Sequence, residues 1–281
     1  MRSPSTRVFP SGYDTDDPPE RHSHIPVRII TFNANGIRAA ERKGFFKWFS
    51  RQRADVLCVQ ELKAQAEKIE GPEFHVRGFH RFLFPAEKPG YSGVAIYTRE
   101  EPEDVVCGYG DSEFDAEGRH IEARFSNIVV TSTYFPSGSS SEARQEAKFR
   151  FLSGFEERMR SMLEDPLPHV VCGDVNIAHK QIDIKNWRSN QKNSGFTPEE
   201  RAWMDHLIDN IGFVDAFRLV NEKPDQYTWW SNRGRARENN VGWRLDYQLV
   251  TPELRQSVVR ERVYRDRFFS DHAPLIIDYN M

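Results

Sequence analysis

The feature that most restricts what this chain can become is a set of eight short apolar runs. They are Val27–Phe32, Ala54–Gln60, Gly93–Thr98, Ile121–Phe125, Ile128–Tyr134, His169–Cys172, Leu245–Val250 and Pro274–Tyr279. Runs this short, bounded by Gly, Asn, Asp and Pro, predict buried β-strands. None approaches the ~18 residues that a membrane span requires. Between them lie helical segments. Phe45, Phe46, Trp48 and Phe49 fall in a charged stretch that reads as a helix. Ser141–Leu163 predicts a long amphipathic helix packing Phe149, Leu152, Phe155 and Met159 at three- and four-residue steps. Thr197-Pro198-Glu199-Glu200 is a helix start, with a capping Thr, Pro in the first turn and an acid three residues on, and that helix should end near Gly212. Ser126-Asn127 predicts a tight turn between two strands.

Strands alternating with helices predict an α/β fold in one domain, residues 27–281, behind a tail, residues 1–26. That tail carries Pro4, Pro10, Pro18, Pro19 and Pro26 among Ser, Asp and Arg, too polar to offset its ordering entropy by burial. It lacks the hydrophobic stretch of a secretory signal, so a cytoplasmic location is expected. Cys58, Cys107 and Cys172 show no metal-type spacing and fit a reducing compartment. Lys and Arg total 39 against 42 Asp and Glu. Bulk charge therefore cannot hold this chain to nucleic acid, and any basic groove must be local.

Polar residues recur where the apolar runs stop: Asn33 and Asn35, Glu61, Asp174 and Asn176, Asp271 and His272, with Asp246 at the start of a run. A single strand-end carboxylate is usually a solvated turn residue. Five such groups predict convergence at one rim of two stacked sheets. Glu61 and Asn35 offer the hard oxygen ligands that Mg²⁺ favours. In an extended Asp174-Val175-Asn176 the two polar side chains would share one side, about 7 Å apart. Asp174 would then handle a proton while Asn176 donates to a phosphate oxygen; an Asx turn is the competing arrangement. His272 needs an acid on its other ring nitrogen, and Asp246 is the natural candidate. Tyr134 offers a phenol to a phosphate oxygen. His120, His169 and His179 read as structural.

Taken in order, these motifs resemble the exonuclease III and abasic-site endonuclease family of the endonuclease/exonuclease/phosphatase superfamily. The resemblance runs through Phe32-Asn33-Ala34-Asn35-Gly36-Ile37-Arg38, Gln60-Glu61-Leu62-Lys63, Gly90–Val94, Glu117-Gly118-Arg119, Tyr134-Phe135-Pro136, Cys172–His179, Lys192–Phe196, Val241–Tyr247 and Ser270-Asp271-His272. It implies a four-layer α/β sandwich with its site at one rim and a Mg²⁺-dependent phosphodiesterase, with Mn²⁺ an acceptable substitute. It implies metal ligation by Asn35 and Glu61 with help from Asp271, proton transfer by Asp174, and support from Asn33, Asn176, Tyr134 and the Asp246–His272 pair. The implied substrate is double-stranded DNA with abasic sites or damaged 3′ ends, and the implied state a monomer.

DNA contacts are expected from Arg38 and from two polar loops, one with Lys185, Asn186, Arg188, Asn190, Lys192 and Asn193, the other with Arg233, Arg235 and Arg237. Trp229 and Trp243 match the aromatic wall of a pocket for a base-less sugar. The chain departs from the pattern after Tyr134-Phe135-Pro136. There Ser137 and a Ser-rich loop replace an Asn or Gln and a DNA-inserting basic residue, leaving open abasic-site incision or 3′-end trimming. A non-catalytic regulator of the catabolite repression control type shares the Lys185–Arg188 and Asp225–Trp230 flavour. It loses catalytic residues, whereas Glu61, Asp174, Asn176, Asp246, Asp271 and His272 are all present here. An inositol-phosphate phosphatase or sphingomyelinase is the third reading.

Overall fold

The computed structural model of the chain describes residues 26–281, so the tail expected over 1–26 lies outside the described residues save for Pro26. Fourteen strands are present among the described residues. They are β1 Val27–Asn33, β2 Val56–Gln60, β3 His80–Phe84, β4 Val94–Thr98, β5 Asp104–Cys107, β6 His120–Arg124 and β7 Val129–Tyr134. The rest are β8 His169–Asp174, β9 Val214–Asp215, β10 Trp229–Trp230, β11 Gly242–Trp243, β12 Asp246–Val250, β13 Val258–Val263 and β14 Leu275–Tyr279. One six-stranded sheet has the order β13-β14-β1-β2-β4-β3, the other β5-β6-β7-β8-β12-β9, and β10 and β11 form a small ribbon.

Strands inside such a sandwich are covered on both faces, so they read as continuous apolar runs. Ile29, Cys58 and Ile96 face Ile121, Val130 and Cys172 across the gap between the sheets. On the outer face of the first sheet, Ile30, Phe32, Leu57 and Tyr97 pack beneath the helical segment carrying Phe45, Phe46, Trp48 and Phe49. Val171, Tyr247 and Leu249 of the second sheet pack beneath the helix Glu142–Glu164, capped by Ser141. The result is helix, sheet, sheet, helix: the four-layer sandwich.

The inward face of the long helix differs from the expected one. Phe149 is 38% exposed, and the buried row is Lys148, Phe151, Leu152, Phe155, Met159 and Met162. Phe151 stacks on Phe155 at 5.2 Å, and both meet Phe135 edge-on. Truncating Phe155 to Ala should cost on the order of 3–5 kcal/mol. The capping box at Thr197 is present, and the helix it starts widens over His206–Ile211 before Gly212, whose φ of 110° ends it.

A polar bridge locks the two sheets together beside the site-bearing rim. Gln60 accepts from Thr31 Oγ1 at 3.2 Å and donates to Ser132 Oγ at 2.9 Å; Ser132 in turn donates to the Val59 carbonyl at 3.0 Å. All these side chains are buried, so a sheet slip would leave unpaired polar atoms.

Candidate active site

Strand register brings the dispersed polar residues together. Asn33 pairs with Gln60 across β1 and β2, which puts Glu61 beside it. In the other sheet Tyr134, Asp174 and Asp246 form one row across β7, β8 and β12. Trp229 bridges to His272, drawing the loop before β14 over that row. Gly173 lets β8 lie close against β7 within that row, since a Cβ there would lie 2.2 Å from the Thr133 carbonyl oxygen.

Asp174 sits at the centre, 1% exposed. Its Oδ2 accepts from Asn33 Nδ2 at 2.8 Å and Asn176 Nδ2 at 3.2 Å, and its Oδ1 from the Asn176 backbone N–H at 2.9 Å. Asn176 therefore does not continue an extended strand alongside Asp174. The chain turns, Asn176 takes φ 56°, and an Asx turn folds its amide back onto the carboxylate and the Phe135 carbonyl. Asn33 also donates to Glu61 Oε1 at 3.0 Å, so one buried amide spans both carboxylates.

His272 Nδ1 bonds Asp246 Oδ2 at 2.8 Å, and its Nε2 lies 3.8 Å from Asp174 Oδ2. Thr228 Oγ1 accepts from the backbone N–H of Leu245 and of Asp246, fixing the start of β12. Burial alone would discharge the imidazole, but Asp246 and Asp174 outweigh it and raise His272 to about 10. Burial raises Asp174 to about 7, against the pull of His272 and with the help of Asp246 and Glu61. Burial, with Glu61 and Asp174 adding to it, keeps the Tyr134 phenol protonated far above its ordinary range.

The second half of the rim is an oxygen cluster. Asn35 Nδ2 donates to Asp271 Oδ1 at 2.9 Å, and Trp229 Nε1 to Asp271 Oδ2 at 3.2 Å. The Lys63 ammonium stands between Asn35 Oδ1 and Glu61 Oε2, 2.5 Å from each. Despite burial, Lys63 leads in holding Glu61 below the usual carboxylate range. Two donor sets here have the chemistry to hold a cation. In one, ligand atoms of Asp174, Asp246 and His272 lie within 4.8 Å of one another. In the other, Asn35, Glu61 and Asp271 surround a place where a positive group already sits. In the first, His272 would have to shed the proton that Asp246 and Asp174 favour on it; the second offers only hard oxygens, so a hard divalent cation fits it better.

Asn35, Glu61, Lys63, Tyr134, Asp174, Asn176, Asp271 and His272 line one cleft of about 980 Å³, with Ser137–Ser141 on one side and Trp229, Trp243 and Leu245 on another, while Asn33 and Asp246 are buried outside its lining. Lys192, Asn193 and Arg233 also line it. Lys185, Asn186 and Asn190 instead line a neighbouring hollow of about 430 Å³ behind Trp229 and Trp243, where Lys185 pairs with Asp225 at 2.9 Å. Arg188 lies over Trp187, and Arg38 is exposed outside the cleft lining. Arg237 is not brought to the cleft: its guanidinium packs over Trp230 and Phe268 and donates to the carbonyls of Arg265 and Arg267. Trp230 is fully buried beneath it.

Sequence reasoning quoted Lys63 and Arg119 within motifs but gave neither a task. Arg119, 1% exposed, donates to the Tyr134 carbonyl at 2.9 Å and the Tyr91 hydroxyl at 3.0 Å, bracing the strand that carries the phenol. For Lys63, the two-residue spacing from Glu61 was the available signal. Asn35, Glu61, Lys63, Ser92 and Asn176, all with φ between 38° and 56°, are five of the ten non-glycine residues with left-handed backbone among the described residues.

Comparison with known proteins agrees with this geometry. The Endonuclease/Exonuclease/phosphatase family model matches residues 30–272. The DNA repair nuclease APEX1 of Danio rerio is 37% identical over 284 residues, covering 93% of this chain and 86% of the relative. An AP endonuclease from Archaeoglobus fulgidus superposes with a TM-score of 0.81 at 30% identity, covering 91% of this chain and 100% of that one. A 3′-5′ exonuclease from Neisseria meningitidis superposes with a TM-score of 0.84 at 26% identity and the same coverage. With its two flanked sheets and its ordered motifs, the chain belongs to the exonuclease III and AP-endonuclease group of the endonuclease/exonuclease/phosphatase family, a family of metal-dependent nucleases.

Proposed function

We propose that this protein is a Mg²⁺-dependent DNA phosphodiesterase of base-excision repair, incising 5′ to abasic sites, trimming 3′ ends, or both. The observation that carries this reading is Asp174: a buried carboxylate raised to about 7 beside a charged imidazole and an all-oxygen cation site. Its protonation range suits a group that both takes and releases a proton near neutral pH.

In this reading Asp174 takes a proton from the attacking water and releases it to solvent, while the departing 3′ oxygen, on the opposite side of the phosphorus, takes its proton from water. Asn176 and Asn33 hold the carboxylate. His272, already charged, donates to a non-bridging phosphate oxygen, and Asp246 keeps it charged and oriented. Tyr134 donates to the same phosphate. Asn35, Glu61 and Asp271 would hold Mg²⁺, or Mn²⁺ in its place; when bound, that ion neutralises charge on the phosphate. Lys192, Asn193 and Arg233 in the cleft, with Asn186, Asn190 and Lys185 behind the tryptophans and Arg38 and Arg188 further out, are read as backbone contacts on double-stranded DNA. The Trp229–Trp243 wall, rings 6.1 Å apart and at right angles, is read as the surface against which a base-less sugar or a strand end lies.

Residues 27–281 are taken as one catalytic unit acting as a monomer. Among the described residues no helix is long and apolar enough to cross a membrane, and the free cysteines suit a reducing, cytoplasmic setting. The non-catalytic regulator reading has no feature of the rim in its favour.

The deciding experiment compares three duplexes: one with an internal abasic site, one with a 3′-phosphate, and one with a recessed 3′-hydroxyl. Mg²⁺-dependent cleavage of any of them is the expected result, and their relative rates assign the preference. Binding without cleavage of all three would remove the enzyme reading.

A further inference from the structure

Behind the rim lies an ion pair that the chemistry above does not use. Lys148, on the long helix, and Glu200, at the start of the helix Pro198–Asp205, meet at 2.6 Å with both side chains wholly buried. Taking two charges out of water is costly, and an apolar pair would often serve packing as well, so the contacts such a pair makes deserve inspection.

Each charge reaches a different wall of the cleft. Lys148 Nζ donates to the Asn176 backbone carbonyl at 2.8 Å, the carbonyl of the residue whose amide holds Asp174. Glu200 Oε2 accepts the backbone N–H of Gly195 at 2.6 Å and of Thr197 at 3.0 Å. Its Oε1 accepts from Gln145 at 3.0 Å and Ser194 at 3.4 Å. Gly195 is pressed between the two: a Cβ there would stand 3.0 Å from the Asn176 carbonyl oxygen and 3.1 Å from Trp243. One ion pair thus ties the Asp174–Asn176 turn, the Lys192–Gly195 loop and the tryptophan wall into one unit. The Asn176 backbone is also left-handed, a conformation that persists only when its surroundings hold it.

We infer that Lys148 and Glu200 are positioning residues for the reaction, fixing the Asp174–Asn176 turn against the DNA-facing loop at residues 192–195. Neither touches substrate. The inference rests on the catalytic reading of Asp174, but its structural half does not depend on that reading.

The test uses the double variant Lys148→Met with Glu200→Gln, which removes both charges together and keeps an acceptor for Gly195 and Thr197. Its fold is checked by circular dichroism and a cooperative melt. Hydrogen exchange should then quicken about tenfold or more in segments 175–178 and 193–197 and not in β1 or β14. With saturating duplex carrying the substrate that the wild type cuts best, kcat should fall about 10- to 100-fold, more than KM rises. A folded double variant with unchanged exchange in those segments, or with kcat within about twofold of wild type, overturns the inference. If the double variant does not melt cooperatively, Glu200→Asp takes its place, which keeps both charges but draws the carboxylate back from Gly195 and Thr197, with the same two readouts and the same overturning results. A wild type that cuts no DNA would sink the functional reading, whereas the exchange measurement would still decide whether the pair holds the two loops.

Discussion

The two ends of β1 carry similar residue types in opposite circumstances. At its start, Arg28 makes a two-pronged contact to Asp278 at 2.7 and 3.0 Å, and Arg260 adds two more hydrogen bonds, at 3.1 and 2.5 Å. Burial there pushes the Asp278 carboxyl up, but Arg28 and Arg260 more than reverse it and hold it below the usual range. At its far end, Asn33 reaches Asp174, which has no arginine and is pushed up to about 7. Nearby, Asp246 Oδ1 is buried with no hydrogen-bond partner among the described residues. The acid is the same and β1 touches both: what separates a structural carboxylate from a chemically useful one is whether a guanidinium closes it off.

The largest expected contrast is in turnover. Asp174→Asn should lower the single-turnover rate on the preferred duplex by roughly 10²–10⁴ while DNA affinity measured by anisotropy stays near wild type. Asp278→Asn should leave that rate unchanged. A fast Asp174→Asn enzyme would erase the distinction.

Next comes Asp246→Asn, which takes away the leading charge that keeps His272 protonated. Its kcat should fall about 10- to 100-fold, and a chemical-shift titration of His272 should show a lower pKa than in the wild type. An unmoved imidazole would show that Asp246 does not govern it.

Stability should separate the two ends in opposite directions, measured without added divalent metal. Asp174 titrates higher when folded, about 7, than an ordinary aspartate near 3.8, so its contribution is lost as pH rises through that interval. Asp174→Asn should therefore match wild type near pH 4 and melt roughly 2–6 °C higher at pH 8. Asp278 is the reverse, since its folded value is depressed: its contribution is present at neutral pH and lost on acidification. Solvent screens the largely exposed Arg260 but not Arg28, whose side chain is 25% exposed against 4% for Asp278, so Asp278→Asn should cost about 1–3 kcal/mol at pH 7 by urea melt. Equal signs for the two variants at pH 8 would break the comparison.

Legibility in the sequence followed solvent exposure. The eight apolar runs correspond to β1, β2, β4, β6, β7, β8, β12 and β14, the interior strands of both sheets. The strands that periodicity did not reveal include all four sheet edges, β3, β5, β9 and β13. Edge strands need not be apolar: Val258–Val263 reads Val-Val-Arg-Glu-Arg-Val, and Asp104–Cys107 is mostly exposed. The short β10–β11 ribbon, two residues a side, offers no period to read.

The rim residues were legible because each interrupts an apolar run. Their mutual geometry was less so. An extended Asp174–Asn176 segment is the default for a strand end, but the Asx turn competes locally and wins because it satisfies a buried carboxylate. Phe149 misled because a helix face is narrower than the set of apolar residues along it, while Lys148, a charge on the buried face, makes sense only once Glu200 is in place 52 residues later. Arg237 read as a groove cation, yet a guanidinium beside tryptophan stacks and bonds carbonyls as readily as phosphates.

In the proposed reaction the oxygen cluster around Glu61 would hold a divalent cation that cleavage requires. The most direct measurement is a Mg²⁺ titration of abasic-duplex and 3′-phosphate cleavage from a fully chelated enzyme, for wild type and Glu61→Ala. Cleavage should vanish in chelator, return with Mg²⁺, and need about tenfold or more Mg²⁺ in the variant. Cleavage that persists in chelator, or superimposable titrations for the two proteins, would contradict it.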